Sequence, residues 1–237
     1  MMDIVKAIEK EKEYLSYRMK GAEPFHLIDA IKECGFDSLD AYFNAKTEYM
    51  IRQTAKTMTE CAQSEIVSEA VRIIHNRLTG VWYAYSDKTC VFNGNSGADT
   101  YNAEYCAENG IPVYSLGAMG GTIVHSYGDL SWGIALPSSI AVGCDYFLNH
   151  IADIMQKHTD KMVTVSGNDI LVDGKKVCGS TVYTVNGVFL FISYFSFSDK
   201  TDIIRAICNK ETQKIPGYID FMTSDDLERG VMEWLTE

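Results

Sequence analysis

The sequence contains no apolar run approaching the ~20 residues that cross a bilayer as a helix, so a membrane-spanning helix is not expected. Basic residues are the minority charge, 21 Lys+Arg against 32 Asp+Glu, for a net charge of −11. That field repels a phosphate backbone, so nucleic acid is not an expected partner, and the bland role of the excess is solubility. There is no CxxC pair among the seven cysteines, and their number is odd. A disulfide framework is therefore not expected. Reduced thiols in a reducing compartment, mostly buried as small apolar residues, fit better. The opening Met-Met-Asp and the alternating charges after it do not read as a signal peptide, so the expected location is the cytoplasm. Internal repeats and low-complexity tracts are also missing.

What remains is a chain of 237 residues, 46% hydrophobic, long enough for one large domain or a domain with an extension. Residues 3–20 read as a charged helix with a thin stripe of Ile4, Val5, Ile8 and Leu15. A second helix spans roughly 25–32, and a third follows a cap at Asp37-Ser38. Nothing in this part suggests chemistry, and residues 1–62 are expected to form a helical extension. Ile66, Val67, Ala70, Val71 and Ile74 recur at helical spacing. Val81–Tyr85 and Thr89–Asn93 read as strands around a turn at Ser86-Asp87. A short helix from Asp99 to Gly110, a strand at Ile111–Tyr114 and a strand pair at 122–125 and 130–136 follow. Pro137-Ser138-Ser139 is expected to start a helix lined by Cys144, Phe147, Leu148, Ile151, Ile154 and Met155. Asp173-Gly174 and Asn186-Gly187 are type I′ hairpin signals between apolar runs, which predicts an antiparallel meander over 162–197. Two helices close the chain. Residues 63–237 thus read as an α+β domain with a mixed, mainly antiparallel sheet and packed helices.

Two segments are candidates for chemistry. In Tyr114–Trp132, a strand enters the Gly120-Gly121 pair and leaves as another strand. Glycine lets backbone amides approach a ligand and hold a carboxylate or phosphate oxygen. Alone, a Gly-Gly turn reads first as a turn, and a single histidine such as His125 as structural. The second segment is Gly167–Gly179, where alternation puts Lys176 on the face of Cys178. Lys175 reads as an ordinary charge beside a hairpin turn; for Lys176 the periodicity does not decide.

Cys90–Trp132 resembles the N-terminal core of the lipoate–protein ligase family. The shared features are Val91-Phe-Asn-Gly94, Ile111-Pro-Val113, Met119-Gly120-Gly121-Thr-Ile-Val-His125 and Gly128-Asp-Leu130, with the Pro112–His125 spacing kept without a gap. Gly167-Asn168-Asp169 and Asp173-Gly-Lys-Lys176-Val-Cys-Gly179-Ser180 resemble that family's second motif, at the expected separation. The likeness spans roughly residues 65–195 and implies the fold shared with biotin–protein ligases.

The resemblance implies an enzyme that activates lipoate, octanoate or a related acid, using ATP and Mg, as an acyl-adenylate. The acyl group then passes to a lysine on a carrier, a lipoyl domain or a glycine-cleavage H-like protein. By position, Lys176 is the catalytic lysine. Its ammonium would offset the charge that builds as the mixed anhydride forms and breaks. Asp169 would be its catalytic partner, taking the proton of the incoming amine or holding Mg. Met119, Gly120, Gly121, His125, Asn168 and Gly179 would line the substrate and ATP site. The sequence also departs from the pattern. Ser115 and Leu116 stand where the family has an arginine pair, Met119 replaces a glycine, and Ser126 replaces an aspartate. The His-His-Gly-Thr stretch near Thr184–Val188 keeps only Gly187, and the ~40 residues after Lys200 are too few for the accessory domain of larger ligases. Two alternatives follow: an octanoyl transferase drawing on an acyl-carrier thioester, with Cys178 as its thiol, and a non-catalytic acyl-binding protein.

Overall fold

The computed structural model describes residues 2–19, 26–94, 101–115, 121–140, 142–208 and 215–237. The chain divides into two compact units, 1–53 and 54–237. The first is helical, with α1 (Ile4–Met19), α2 (Leu27–Lys32) and the greater part of α3 (Leu39–Ala55). Ser38 caps α3 by accepting from Ala41 N. Ala7, Ile31, Cys34, Phe36 and Tyr42 form its core. The Tyr42 hydroxyl donates to Glu11 at 2.8 Å, and Lys46 reaches the same carboxylate.

The second unit is α+β, as the alternating patterns and hairpin signals predict. Its strands are β1 (Thr59–Glu60), β2 (Gly80–Tyr85), β3 (Cys90–Asn93), β4 (Val113–Ser115), β5 (Thr122–His125), β6 (Leu130–Pro137), β7 (Val163–Ser166), β8 (Asp169–Val172), β9 (Lys175–Val185) and β10 (Val188–Phe195). Its helices are α4 (Ile66–Asn76), α5 (Ala103–Glu108), α6 (Cys144–Gln156), α7 (Thr201–Ile207) and α8 (Ser224–Thr236). Among the described residues, seven strands form one sheet in the order β1-β2-β6-β10-β9-β8-β7, and three form a second in the order β4-β3-β5. All pairings are antiparallel except β1 with β2 and β3 with β4. Asp173, Gly174, Asn186 and Gly187 all have positive φ, so these two of the meander's three turns have the type I′ character their sequences predict.

Three local expectations need correction. Val81–Tyr85 and Thr89–Asn93 do form strands, but β2 belongs to the large sheet and β3 to the small one. The same is true of 122–125 and 130–136: β5 pairs with β3, and β6 lies between β2 and β10. A short turn between two apolar runs looks the same in sequence whether the chain folds back or changes sheet. Pro137 ends β6 opposite Val188 instead of starting a helix, and α6 begins only at Cys144. The helix over 103–108 is capped by Asn102, whose side chain accepts from Tyr105 N; Asp99 lies outside the described residues.

Alternation explains the layering. On one face of the large sheet Trp132 and Phe191 pack against Phe147 of α6, with the two phenyl centroids 4.8 Å apart. Burying such a ring contributes roughly 1.5–3 kcal/mol. On the other face Trp82, Ala84, Leu190, Ile192 and Tyr194 pack with Ile66, Ala70 and Ile73 of α4 and with Phe92 of the small sheet. Gly133 permits this, because a Cβ there would lie 2.5 Å from the Trp82 ring. Successive residues of the small sheet face opposite ways. Phe92 turns to the large sheet, while Val91 and Val124 pack with Cys106 of α5 and Ile207 of α7.

Candidate active site

Asp169 opens β8 opposite Gly179 of β9. Two residues on, the register slips: Ile170 pairs with Cys178 but Leu171 pairs with Lys176, which leaves Val177 as an extra residue on β9. Such a bulge re-aims a side chain. The Lys176 ammonium lies 3.1 Å from where a Cβ of Gly179 would stand and 2.8 Å from Asp169 Oδ1. Lys176 therefore serves the face of Gly179, and the simple alternation that put it beside Cys178 fails because the bulge reverses it. Its side chain remains 39% exposed while that of Asp169 is 9% exposed, so the amine is held by a nearly buried carboxylate yet open to a ligand. Asn168 braces the turn: its Nδ2 donates to Ser180 O at 2.5 Å and its own carbonyl accepts from Ser180 N.

A segment with no chemical signal in the sequence holds the Lys176 backbone. Lys176 N donates to Ile215 O and Gly217 N donates to Lys176 O, both at 2.8 Å, in a parallel bridge centred on Pro216. Gly217 is required there, since a Cβ would meet Cβ of Lys175 at 2.7 Å. The Pro216-Gly217 dipeptide could have marked a turn but not its neighbour. Cys178 is buried, and burial pushes its thiol up to about 12 despite the pull of Ser180 and Lys176. Its burial and that upward shift favour a space-filling role over a nucleophilic one.

His125 closes β5. It is buried and set edge-on to Phe92 and Tyr194, with centroids 5.6 and 5.2 Å away. Burial first, and then the Lys200 ammonium, hold its imidazole well below the usual histidine range, so it is neutral at pH 7. Tyr194, which carried no signal in the sequence, is the link between the motifs. It pairs with Gly179, which pairs in turn with Asp169, so one row of the sheet runs from His125's neighbour to the Lys176–Asp169 pair. Gly121 precedes β5 and so lies about 13 Å from His125 by strand rise. A Cβ there would meet no described atom within 4 Å. Met119 and Gly120 lie outside the described residues, as does Leu116.

Asp129 was also invisible as a functional candidate. The turn after β5 buries it completely, and its carboxylate accepts from Phe197 N at 2.7 Å, from Ser126 N at 2.8 Å and from the Lys200 ammonium. Lys200 is itself buried, which lowers its pKa, while Asp129 opposes that shift.

The comparison with known sequences now has a geometry to meet. The lipoyl protein ligase A/B catalytic domain pattern matches residues 56–224. The chain belongs to that family. It therefore carries the catalytic domain of an acyl ligase/transferase family, and the matched span contains Lys176, Asp169, His125, Asp129 and Lys200. No curated protein sequence matches significantly. Among solved structures, Plasmodium falciparum LipL1 in complex with lipoate is similar, with TM-score 0.64 and 15% identity over 76% of this chain and 61% of that one. This chain thus spans under two thirds of LipL1. A bipartite lipoate protein ligase from Thermoplasma acidophilum, solved with its E2 lipoyl domain, gives TM-score 0.62 and 14% identity over 76% and 82% of the two chains. A lipoate-protein ligase A bound with ATP gives TM-score 0.62 and 14% identity over 76% and 83%. At these identities the likeness establishes a common fold. Among the described residues no helix of this lipoyl ligase-type chain is long and apolar enough to cross a membrane.

Proposed function

We propose that this chain activates lipoate, octanoate or a related carboxylic acid with ATP and transfers it to a lysine on a carrier protein. The carrier would be a lipoyl domain or a glycine-cleavage H-like protein. The observation that carries this reading is the Lys176 ammonium resting over Gly179, 2.8 Å from Asp169, inside the family-matched span. Similar folds solved with lipoate, with ATP and with an E2 lipoyl domain support it. Catalysis is assigned to residues 63–237, with 1–62 as a helical extension. The seven free thiols agree with a cytoplasmic setting.

In the first step a carboxylate oxygen of the acid attacks the α-phosphorus of ATP and the bond to pyrophosphate breaks, giving the acyl-adenylate. Lys176 offsets the negative charge that gathers between carboxylate and phosphate. In the second step the carrier amine attacks the acyl carbon, and AMP leaves with the electron pair of the C–O bond. A lysine amine has an ordinary pKa of about 10.4, so it must shed a proton to attack, and Asp169 is the base beside the reacting atoms. Neutral His125 borders the acyl chain, and Asn168 and Gly179 shape the Lys176 end of the site. Among the described residues no three potential metal ligands cluster. Magnesium would enter with the ATP phosphates, and Asp169 is the carboxylate that would hold it.

The test is ATP–pyrophosphate exchange across a panel of carboxylic acids, followed by transfer to a lipoyl domain. Acid-dependent exchange is the expected result. Transfer only from an acyl-carrier thioester would mean a transferase instead, and neither activity would mean an acyl-binding protein.

A further inference from the structure

The Gly128-Asp129 turn carries a wholly buried carboxylate. The local geometry requires a carboxylate there. Oδ1 accepts from Phe197 N, and Oδ2 accepts from both Ser126 N and Lys200 Nζ. An asparagine in the same pose has a single accepting oxygen, and its amide nitrogen would face an N–H donor. Once a carboxylate is wholly buried it needs a cation, and Lys200, 3% exposed, is the partner. The pair joins three segments: the turn after β5, the chain leaving β10 and the residue that precedes α7. Helix α7 also packs against β5. His125 ends β5, directly before Ser126, so its ring is held through both the turn and the helix.

We infer that Asp129 and Lys200 are positioning residues of the acyl site: their ion pair fixes the Ser126–Asp129 turn and thereby sets the His125 ring against Tyr194, in the row that leads to Gly179 and Lys176. The name of the site rests on the ligase reading above; the geometry of the pair does not. Nothing in this role requires either residue to touch a substrate. Their effect is on the wall of the pocket, so the acid should feel it and ATP should not.

Three variants test this: Asp129→Asn, Lys200→Met, and the double variant, which leaves no buried charge and guards against a single variant that does not fold. The first readout is the NMR signal of the His125 Cε1–H group, which the ring currents of Phe92 and Tyr194 displace in the wild type. It should move in every folded variant. The second is steady-state kinetics with lipoate and a lipoyl domain. KM for the acid should rise on the order of tenfold, because a misplacement of about 1 Å is costly at such sites, while KM for ATP stays unchanged. Folded variants that melt earlier but keep the wild-type His125 signal and acid KM would overturn the inference, since that is the behaviour of a purely stabilising pair. A wild type that transfers no acid would sink the ligase reading and leave the NMR measurement to decide this one.

Discussion

Replacing Gly179 with alanine isolates the position of the Lys176 ammonium from its chemistry. The new methyl carbon would stand 3.1 Å from Lys176 Nζ and 3.2 Å from Cε, and 3.6 Å from Asp169 Oδ1. The last is an ordinary contact. The first two are too close, and the group that can yield is the end of a flexible lysine. The amine must therefore retreat by a few tenths of an ångström or more, loosening its 2.8 Å bond to Asp169. The fold should tolerate the change. Gly179 is not among the positive-φ glycines, and alanine in a strand interior is favoured over glycine by roughly 0.5–1 kcal/mol. The melting temperature should hold or rise slightly. Complete loss of one preorganised electrostatic donor costs ~10²–10³ in rate, so displacing it should cost about tenfold or more, near 1.4 kcal/mol of barrier. Pyrophosphate exchange measures the first step, and mass spectrometry of the lipoyl domain measures the transfer. Wild-type rates in a normally folded Gly179→Ala enzyme would show that the pose of Lys176 over this glycine is not the working one.

Lys176→Ala should lower transfer by at least ~10²-fold, with only a modest drop in melting temperature as the nearly buried Asp169 loses its cation; Lys175→Ala, on an exposed residue, should transfer normally. Cys178→Ala should retain transfer, and iodoacetamide should leave Cys178 unlabelled in the native protein at pH 7–8.5, since its thiol sits near 12; rapid labelling would contradict its assignment as a filler. His125 is neutral when folded, but its unfolded form gains a proton below about pH 6.5. The unfolded state thus binds more protons there, and stability is lost as pH falls through that window, by up to ~1.4 kcal/mol per pH unit. Thermal melts of the wild type and His125→Gln between pH 7.5 and 5 check this; equal acid slopes would mean that His125 is not the group responsible.

The sequence alone determined the local devices. The Asp173-Gly174 and Asn186-Gly187 turns follow from residues that tolerate positive φ, and the interior face of α6 from its 3.6-residue period. Lys176, Asp169 and His125 were implied as site residues by the resemblance of the two motifs to the lipoate–protein ligase pattern, not by periodicity. What the sequence could not hold was information carried between segments. Whether β2 and β3, or β5 and β6, fold back on each other or join different sheets depends on which surfaces bury the most apolar area, and short turns are silent on that. The Val177 bulge, which reverses the face of Lys176, arises from pairing with β8 and has no signature in β9 itself. Tyr194 joins the two motifs only because β10 lies beside β9 and under the small sheet. Asp129 and Lys200, 71 residues apart, read separately as two surface charges. Only the tertiary structure removes water from both, and in that low dielectric each becomes the other's necessary partner.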